Sequence, residues 1–281
     1  DVSVNGDSVI VAPGRYVDNL NFGNKSIVVT SQFGALVTFL EPEDTTAHLA
    51  QFSGGSSELS GFSLSRAKPN HAVDIRNASP SILRNTFSNC GSPYAGGAVV
   101  YSGGISNFQL RQNVFWSNAS TQVVVFVTDF CYPTITNNSI HSGSTGITLW
   151  SNAYLTGNTV SGCGRGISAS RSFYHDFNNS WGNTYSNWSG FTPSSGDISV
   201  DPQFVDTVLA DFRLISNSPL IDAGDTAIAL NDPDGSRADI GAQPFNKNAA
   251  IAGLRIDAAS QAHVLSATPI ITWLSFALPG T

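Results

Sequence analysis

Apolar residues along this chain come in short runs rather than in helical stripes. Ile82-Leu83-Arg84-Asn85-Thr86-Phe87, Leu110-Arg111-Gln112-Asn113-Val114-Phe115, Ile135-Thr136-Asn137-Asn138-Ser139-Ile140 and Leu155-Thr156-Gly157-Asn158-Thr159-Val160 share one pattern. Each opens on an apolar residue, carries asparagine fourth and returns to an apolar residue sixth. Leu59-Ser60-Gly61-Phe62-Ser63-Leu64 fits as a fifth copy with Gly61 in the asparagine place, so positions 61, 85, 113, 138 and 158 lie 24, 28, 25 and 20 apart. A fixed period of a few tens of residues marks a solenoid. Each segment reads as strand, bend, strand, and one coil has too little core to stand alone. Stacking coils at about 4.8 Å pairs their strands and lines their inward side chains into columns. The pattern therefore predicts an all-β chain, a right-handed parallel β-helix with three sheets, over residues 1–246, followed by a short β extension or truncated sandwich over 247–281.

The strand after each bend aligns as Val73–Asn77, Val99–Gly103, Val125–Asp129, Ile147–Ser151 and Ile167–Arg171. Strict alternation puts Val73/Ile75, Val99/Tyr101, Val125/Val127, Ile147/Leu149 and Ile167/Ala169 inward. Asp74/Val100/Phe126/Thr148/Ser168 and Arg76/Ser102/Thr128/Trp150/Ser170 then face outward. Asn85, Asn113, Asn138 and Asn158 are read as a structural ladder, because asparagine tolerates left-handed bends and its amide can bond from coil to coil.

Composition supports strands and turns. Glu occurs only at 41, 43 and 58, Lys only at 25, 68 and 247, and Met not at all, while Gly contributes 26 residues. The charge balance is acidic, 13 basic against 20 acidic residues, without a Lys/Arg run, which speaks against nucleic-acid binding. The missing Met implies that Asp1 is a processed or trimmed start. The longest apolar stretch, Val264–Leu278, is too short to span a bilayer easily, so no membrane insertion is expected.

Gly6-Asp7-Ser8-Val9-Ile10-Val11-Ala12-Pro13-Gly14-Arg15-Tyr16 resembles the opening coil of bacterial right-handed parallel β-helix repeat proteins of the pectate-lyase-like superfamily. Trp181-Gly182-Asn183 through Gly196-Asp197-Ile198-Ser199-Val200-Asp201-Pro202-Gln203-Phe204 resembles their closing region. So do Ser218–Asp225 and Asp232–Ala242, and the resemblance covers residues 5–246. Members usually begin with a capping helix, of which Asp1–Asn5 would be the remnant. Gln243-Pro244-Phe245 replaces the usual aromatic-acidic pair. Ala249–Ile256 and Ala267–Trp273 resemble the first strands of a fibronectin-III-like sandwich, which needs about 100 residues. The resemblance implies a secreted or cell-surface location.

The superfamily includes enzymes acting on acidic polysaccharides, and the resemblance therefore implies that any chemistry lies on the outward face. A lyase needs a cation to neutralise a uronate carboxylate and a base to take the neighbouring proton. Asp129, Arg171, Tyr174 and His175 are the candidates, with Arg76, Phe126 and Trp150 as substrate-binding positions; the plain alternative is that they are turn and surface residues. No Asp pair suits a hydrolase. Asp222, Asp225, Asp232, Asp234 and Asp239 offer carboxylate oxygens for calcium, centred on Asp232, Asp234 and Asp239, although Asp-Gly pairs are also ordinary turn formers; no other cofactor is implied. Trp116 and His141 share a column, and Tyr174, Trp181, Tyr185, Trp188 and Phe191 crowd what reads as one long excursion. Cys90 and Cys163 share a column three coils apart, roughly 14 Å, too far for a disulfide, and all three cysteines read as small core residues. The resulting expectation is a secreted or surface β-helix with a binding or structural role whose partner is a polysaccharide or cell-surface glycan. A polysaccharide lyase and a self-assembling stalk or filament subunit are the alternatives, and the residues leave open whether the chain is an enzyme.

Overall fold

The computed structural model describes residues 3–68, 71–91, 97–118, 122–128, 130–227 and 231–247. Three parallel sheets of eight strands each stack along one axis. Sheet A runs from Ser8–Val11 to Tyr174–Asp176, sheet B from Gly14–Val17 to Asn179–Trp181 and sheet C from Leu20–Gly23 to Ser186–Ser189. Every coil supplies one strand to each sheet in the order A, B, C. This is the right-handed three-sheet β-helix that the repeat predicts. No helix occurs among the described residues. A separate antiparallel pair, Phe204–Asp206 with Asp211–Leu214, packs Phe204 and Phe212 near Val114 on the solenoid flank.

The core consists of columns. Leu59, Ile82, Leu110, Ile135 and Leu155 are in register along sheet A, and Leu64, Phe87, Phe115, Ile140 and Val160 along sheet B. All are buried, and Phe87 stacks on Phe115 at 4.7 Å, the spacing of adjacent strands. Burying each such side chain stabilises the fold by about 1.5–3 kcal/mol.

Beside the sheet A column runs a line of buried amides. Asn85 Nδ2 donates to Asn113 Oδ1 (3.2 Å), Asn113 to Asn138 (3.0 Å), Asn138 to Asn158 (2.9 Å) and Asn158 to Asn178 (3.0 Å). Asn178 donates to Asp197 Oδ1 (3.0 Å), which ends the line. Two sequence expectations are corrected here. Phe62, not Gly61, occupies the asparagine place, because Thr86 pairs with Ser63 and the Phe62 N–H donates to Asn85 Oδ1, 23 residues away. Gly61 instead matches Arg84, Gln112, Asn137, Gly157 and Phe177, the residues with left-handed φ between 51° and 79°. The bend is therefore made one residue before the asparagine, whose role is hydrogen bonding rather than backbone geometry.

The segment read as an excursion is the last regular coil. Tyr174–Asp176, Asn179–Trp181 and Ser186–Ser189 extend sheets A, B and C. Its period was hidden because His175 stands where Leu155 stood and Trp188 where Ile167 stood. Cys90, Cys131 and Cys163 are buried and free, and burial pushes the Cys90 and Cys163 thiols up to about 12. The expected extension after residue 247, with the sandwich-like strands, lies outside the described residues.

Candidate functional site

Sheet C carries the face singled out from the sequence, with one register correction. Val100, not Val99, pairs with Val73 and Val125, so Tyr101 falls beside Asp74 and Phe126 and points outward. Val100 and Ser102 turn inward and are buried, because a one-residue shift exchanges the two faces of a strand.

Along this face, rings from successive coils meet one another. His48 lies 5.1 Å from His71, His71 4.8 Å from Tyr101, Tyr101 5.7 Å from Phe126 and Phe126 4.7 Å from Trp150. Arg76 Nε donates to both oxygens of buried Asp74 at 3.0 and 3.2 Å, and its guanidinium sits 4.4 Å over the Tyr101 ring. Arg76 is thus held within the face by an ion pair and a cation–π contact. Burial lowers the His71 pKa, so its imidazole is neutral at pH 7. Phe126 leaves the sheet on the outer side yet is buried between Tyr101 and Trp150. His48, His71 and Tyr101 lie face to face and Phe126 meets Tyr101 and Trp150 edge to face, so the upper part of this face is packing.

Open aromatic surface begins at Trp150 and follows the corner where each sheet C strand hands over to sheet A. Phe130 is 70% exposed, Tyr132 55%, Trp150 48%, Tyr154 37% and Tyr174 51%. The Ser106–Cys131 bridge places Ile105 beside Phe130, Ser151 Oγ donates to the Cys131 carbonyl, and Tyr154 pairs with Tyr174 in sheet A. The last two rings stack at 4.6 Å. These residues therefore form one strip across consecutive coils. Phe130, Tyr132 and Tyr154 were not singled out from the sequence; the available signal was that Tyr154 and Tyr174 each stand four residues before their column asparagine.

The lyase candidates separate. Asp129 lies outside the described residues. Tyr174 is on the exposed strip. His175, expected outward, occupies the inward sheet A column in register with Leu155, so that expectation is corrected. It reaches a cleft of about 500 Å³ at the end of the solenoid, lined also by Arg171, Phe173, Gly190 and Phe191. Its Nδ1 is 2.6 Å from Oδ2 of Asp197. Burial pushes the Asp197 carboxyl upward, but N–H groups of Asn178 and Ser194, with the His175 and Asn178 side chains, outweigh that and leave its pKa lowered.

The calcium candidates spend their oxygens on the backbone. Asp239 accepts from the N–H of Asp222 and Phe245, Asp232 from Asp239, and Asp234 from Ser236 and Lys247. They tie the closing segment together, and the Asp239 carbonyl fastens it to the solenoid by accepting from Asn137 Nδ2. Burial and the charge of Asp239 raise the Asp232 pKa to about 7, and Asp239 is raised as well. A raised carboxyl costs stability as it ionises, so stability should fall as pH rises from about 4 to about 7. Asp232→Asn keeps an acceptor for the Asp239 N–H without the charge. It is expected to raise the melting temperature at pH 8 and to lose that advantage at pH 4, as differential scanning calorimetry at both values will report.

A stacked-coil solenoid of three parallel sheets, with its ordered interior given to packing, defines a protein of the parallel β-helix class. Residues 5–195 match the family described as periplasmic copper-binding protein (NosD), and the chain belongs to that family. A search of curated proteins gave no significant match.

Copper in proteins is held by imidazole, thiolate and thioether donors. This chain has no Met, and its cysteines are buried thiols. The His48 and His71 planes are within 3° of parallel at 5.1 Å separation, and a metal lies in the plane of each imidazole that binds it, so these rings as placed cannot share one ion. His175 Nδ1 is 2.6 Å from Asp197 Oδ2 and His141 Nδ1 is 3.1 Å from Ser161 Oγ, so each of these rings has only Nε2 left to offer. Among the described residues no three His, Cys, Asp or Glu converge to hold a metal. The donors described here do not fit a copper site; the fifth histidine, His263, lies outside the described residues.

Proposed function

We propose that this chain is a periplasmic binding protein that engages glycan along the aromatic corner formed by Phe130, Tyr132, Trp150, Tyr154 and Tyr174. The observation that carries this reading is their exposure: a solenoid that needed these rings for packing would bury them, as it buries Phe87 and Phe115. Sugar rings present flat C–H faces that lie well on such side chains, and tyrosine hydroxyls supply hydrogen bonds at the rim. The repeat matches the ligand, since a linear polysaccharide can meet the same type of ring coil after coil. The family's periplasmic description suits an exported chain, and no helix among the described residues is long and apolar enough to cross a membrane.

Affinity electrophoresis through gels containing neutral and acidic polysaccharides tests this. The wild type should be retarded by at least one of them. Trp150→Ala and Tyr174→Ala should each weaken retardation about tenfold, the worth of one stacking contact. Unretarded migration in every gel would overturn the reading.

A second reading is favoured by the His175–Asp197 contact, which orients an imidazole beside Arg171 in one cleft. That pairing suits a base and a carboxylate-neutralising cation, as polysaccharide lyase chemistry requires. Release of unsaturated uronate from an acidic polysaccharide, lost in His175→Ala, would select it over simple binding.

A further inference from the structure

A second cleft lies on the opposite flank, between the outer face of sheet B and the closing segment. One wall is the column His141–Ser161–Trp181, in register through the last coils of the sheet. The other is Asp201–Thr207, held in place where Phe204 and His141 pack on Phe212 at 5.1 and 5.8 Å. The space enclosed is about 440 Å³, room for one or two sugar rings.

Its chemistry is one-sided. Trp181 is 38% exposed and forms part of the wall. Asp201 and Asp206 each use Oδ1 to cap backbone N–H groups of their own turns. Burial lowers the His141 pKa, so a neutral imidazole faces the cleft. Gln203 is held at left-handed φ (53°), and its Oε1 is shut from solvent with no donor. A small turn of that amide into the cleft would exchange an unmet acceptor for a hydrogen bond. Strain and an orphan acceptor at one residue are features that ligand sites retain. No Lys or Arg lines the cleft, so nothing there would neutralise a uronate or phosphate.

We infer that this cleft binds a neutral sugar unit, with Trp181 as the stacking platform and Gln203, Asp201 and Asp206 accepting from its hydroxyls. It stands apart from the aromatic corner and does not depend on it.

Saturation-transfer NMR on the full chain tests the inference with cellobiose, maltose, chitobiose and galacturonic acid as probes. At least one neutral disaccharide should show transfer to its ring protons, and galacturonic acid none that depends on Trp181. Trp181→Ala should weaken that binding about tenfold, and Gln203→Ala should weaken it as well. Trp181→Phe, which keeps a ring, should retain most of the signal and serves if the alanine variant melts early. The part of the signal lost in Trp181→Ala should be equally present in a Trp150→Ala background, which separates this cleft from the corner. The inference fails if no neutral sugar binds, if neither Trp181→Ala nor Gln203→Ala reduces that binding, if galacturonic acid gives an equal Trp181-dependent signal, or if the Trp181-dependent signal disappears in Trp150→Ala.

Discussion

Asn138→Ala should lower the unfolding free energy by about 3–5 kcal/mol, more than ordinary surface or turn substitutions do. Asn138 is fully buried. Its Nδ2 donates to the carbonyls of Leu110 (2.8 Å) and Thr136 (3.1 Å) and to Asn158 Oδ1 (2.9 Å). Its Oδ1 accepts from the backbone N–H and Nδ2 of Asn113 at 2.9 and 3.0 Å. Alanine leaves those partners buried and unmet on both adjoining coils, and each unmet group costs about 1–3 kcal/mol. Asn85, at the head of the line, bonds to an asparagine on one side only, so Asn85→Ala should cost less. Urea unfolding followed by circular dichroism gives the comparison. Hydrogen exchange should show protection lost first in the coils holding Asn113 and Asn158, because stability in a stacked array depends on neighbours. A loss below about 1 kcal/mol would mean that the line of amides is incidental.

The second large effect is expected at Asp197. This carboxylate terminates the amide line, accepting from the backbone and side chain of Asn178, from the Ser194 N–H at 2.9 Å and from His175 at 2.6 Å. Asp197→Ala should destabilise the protein by about 3 kcal/mol, chiefly by orphaning donors at the end of the core. The pH dependence has a definite sign. The folded carboxyl has a lowered pKa, so its contribution is fully present above the unfolded value of 3.8 and disappears as pH falls through the lower folded value. The gap between wild type and variant should therefore stay constant at neutral pH and shrink only in strong acid. Thermal melts at pH 7, 5 and 3 would show it; a gap that closed between pH 7 and 5 would point to another group.

Much of this was legible in the chain itself. The recurring Asn85, Asn113, Asn138 and Asn158 located strands of sheets A and B, because an inward residue and its bend must repeat with every coil. Register was harder. The asparagine-to-asparagine steps are 28, 25 and 20 residues, so surplus loop residues slide the alignment. Strict alternation is one residue off at Val100, Tyr101 and Ser102, and Gly61 in the asparagine place is one residue off in the same way. His175 and Trp188 concealed the last coil because a column's final member has no next coil to pack against and is free to depart from Leu or Ile.

The candidate surfaces were less visible. Trp150 and Tyr174 stood out as isolated residues, whereas the corner they share exists only once consecutive coils are stacked. The Trp181 cleft needs a closing segment folded back across sheet B, and the local sequence around Gln203 says nothing of that. By itself the sequence determined the repeating coil, its inward apolar columns and its buried amides, since each is a local pattern repeated at every turn. The tertiary structure alone decided which rings remain exposed and what they face, because exposure depends on residues from other coils and from the closing segment, whose distance along the chain carries no periodic trace.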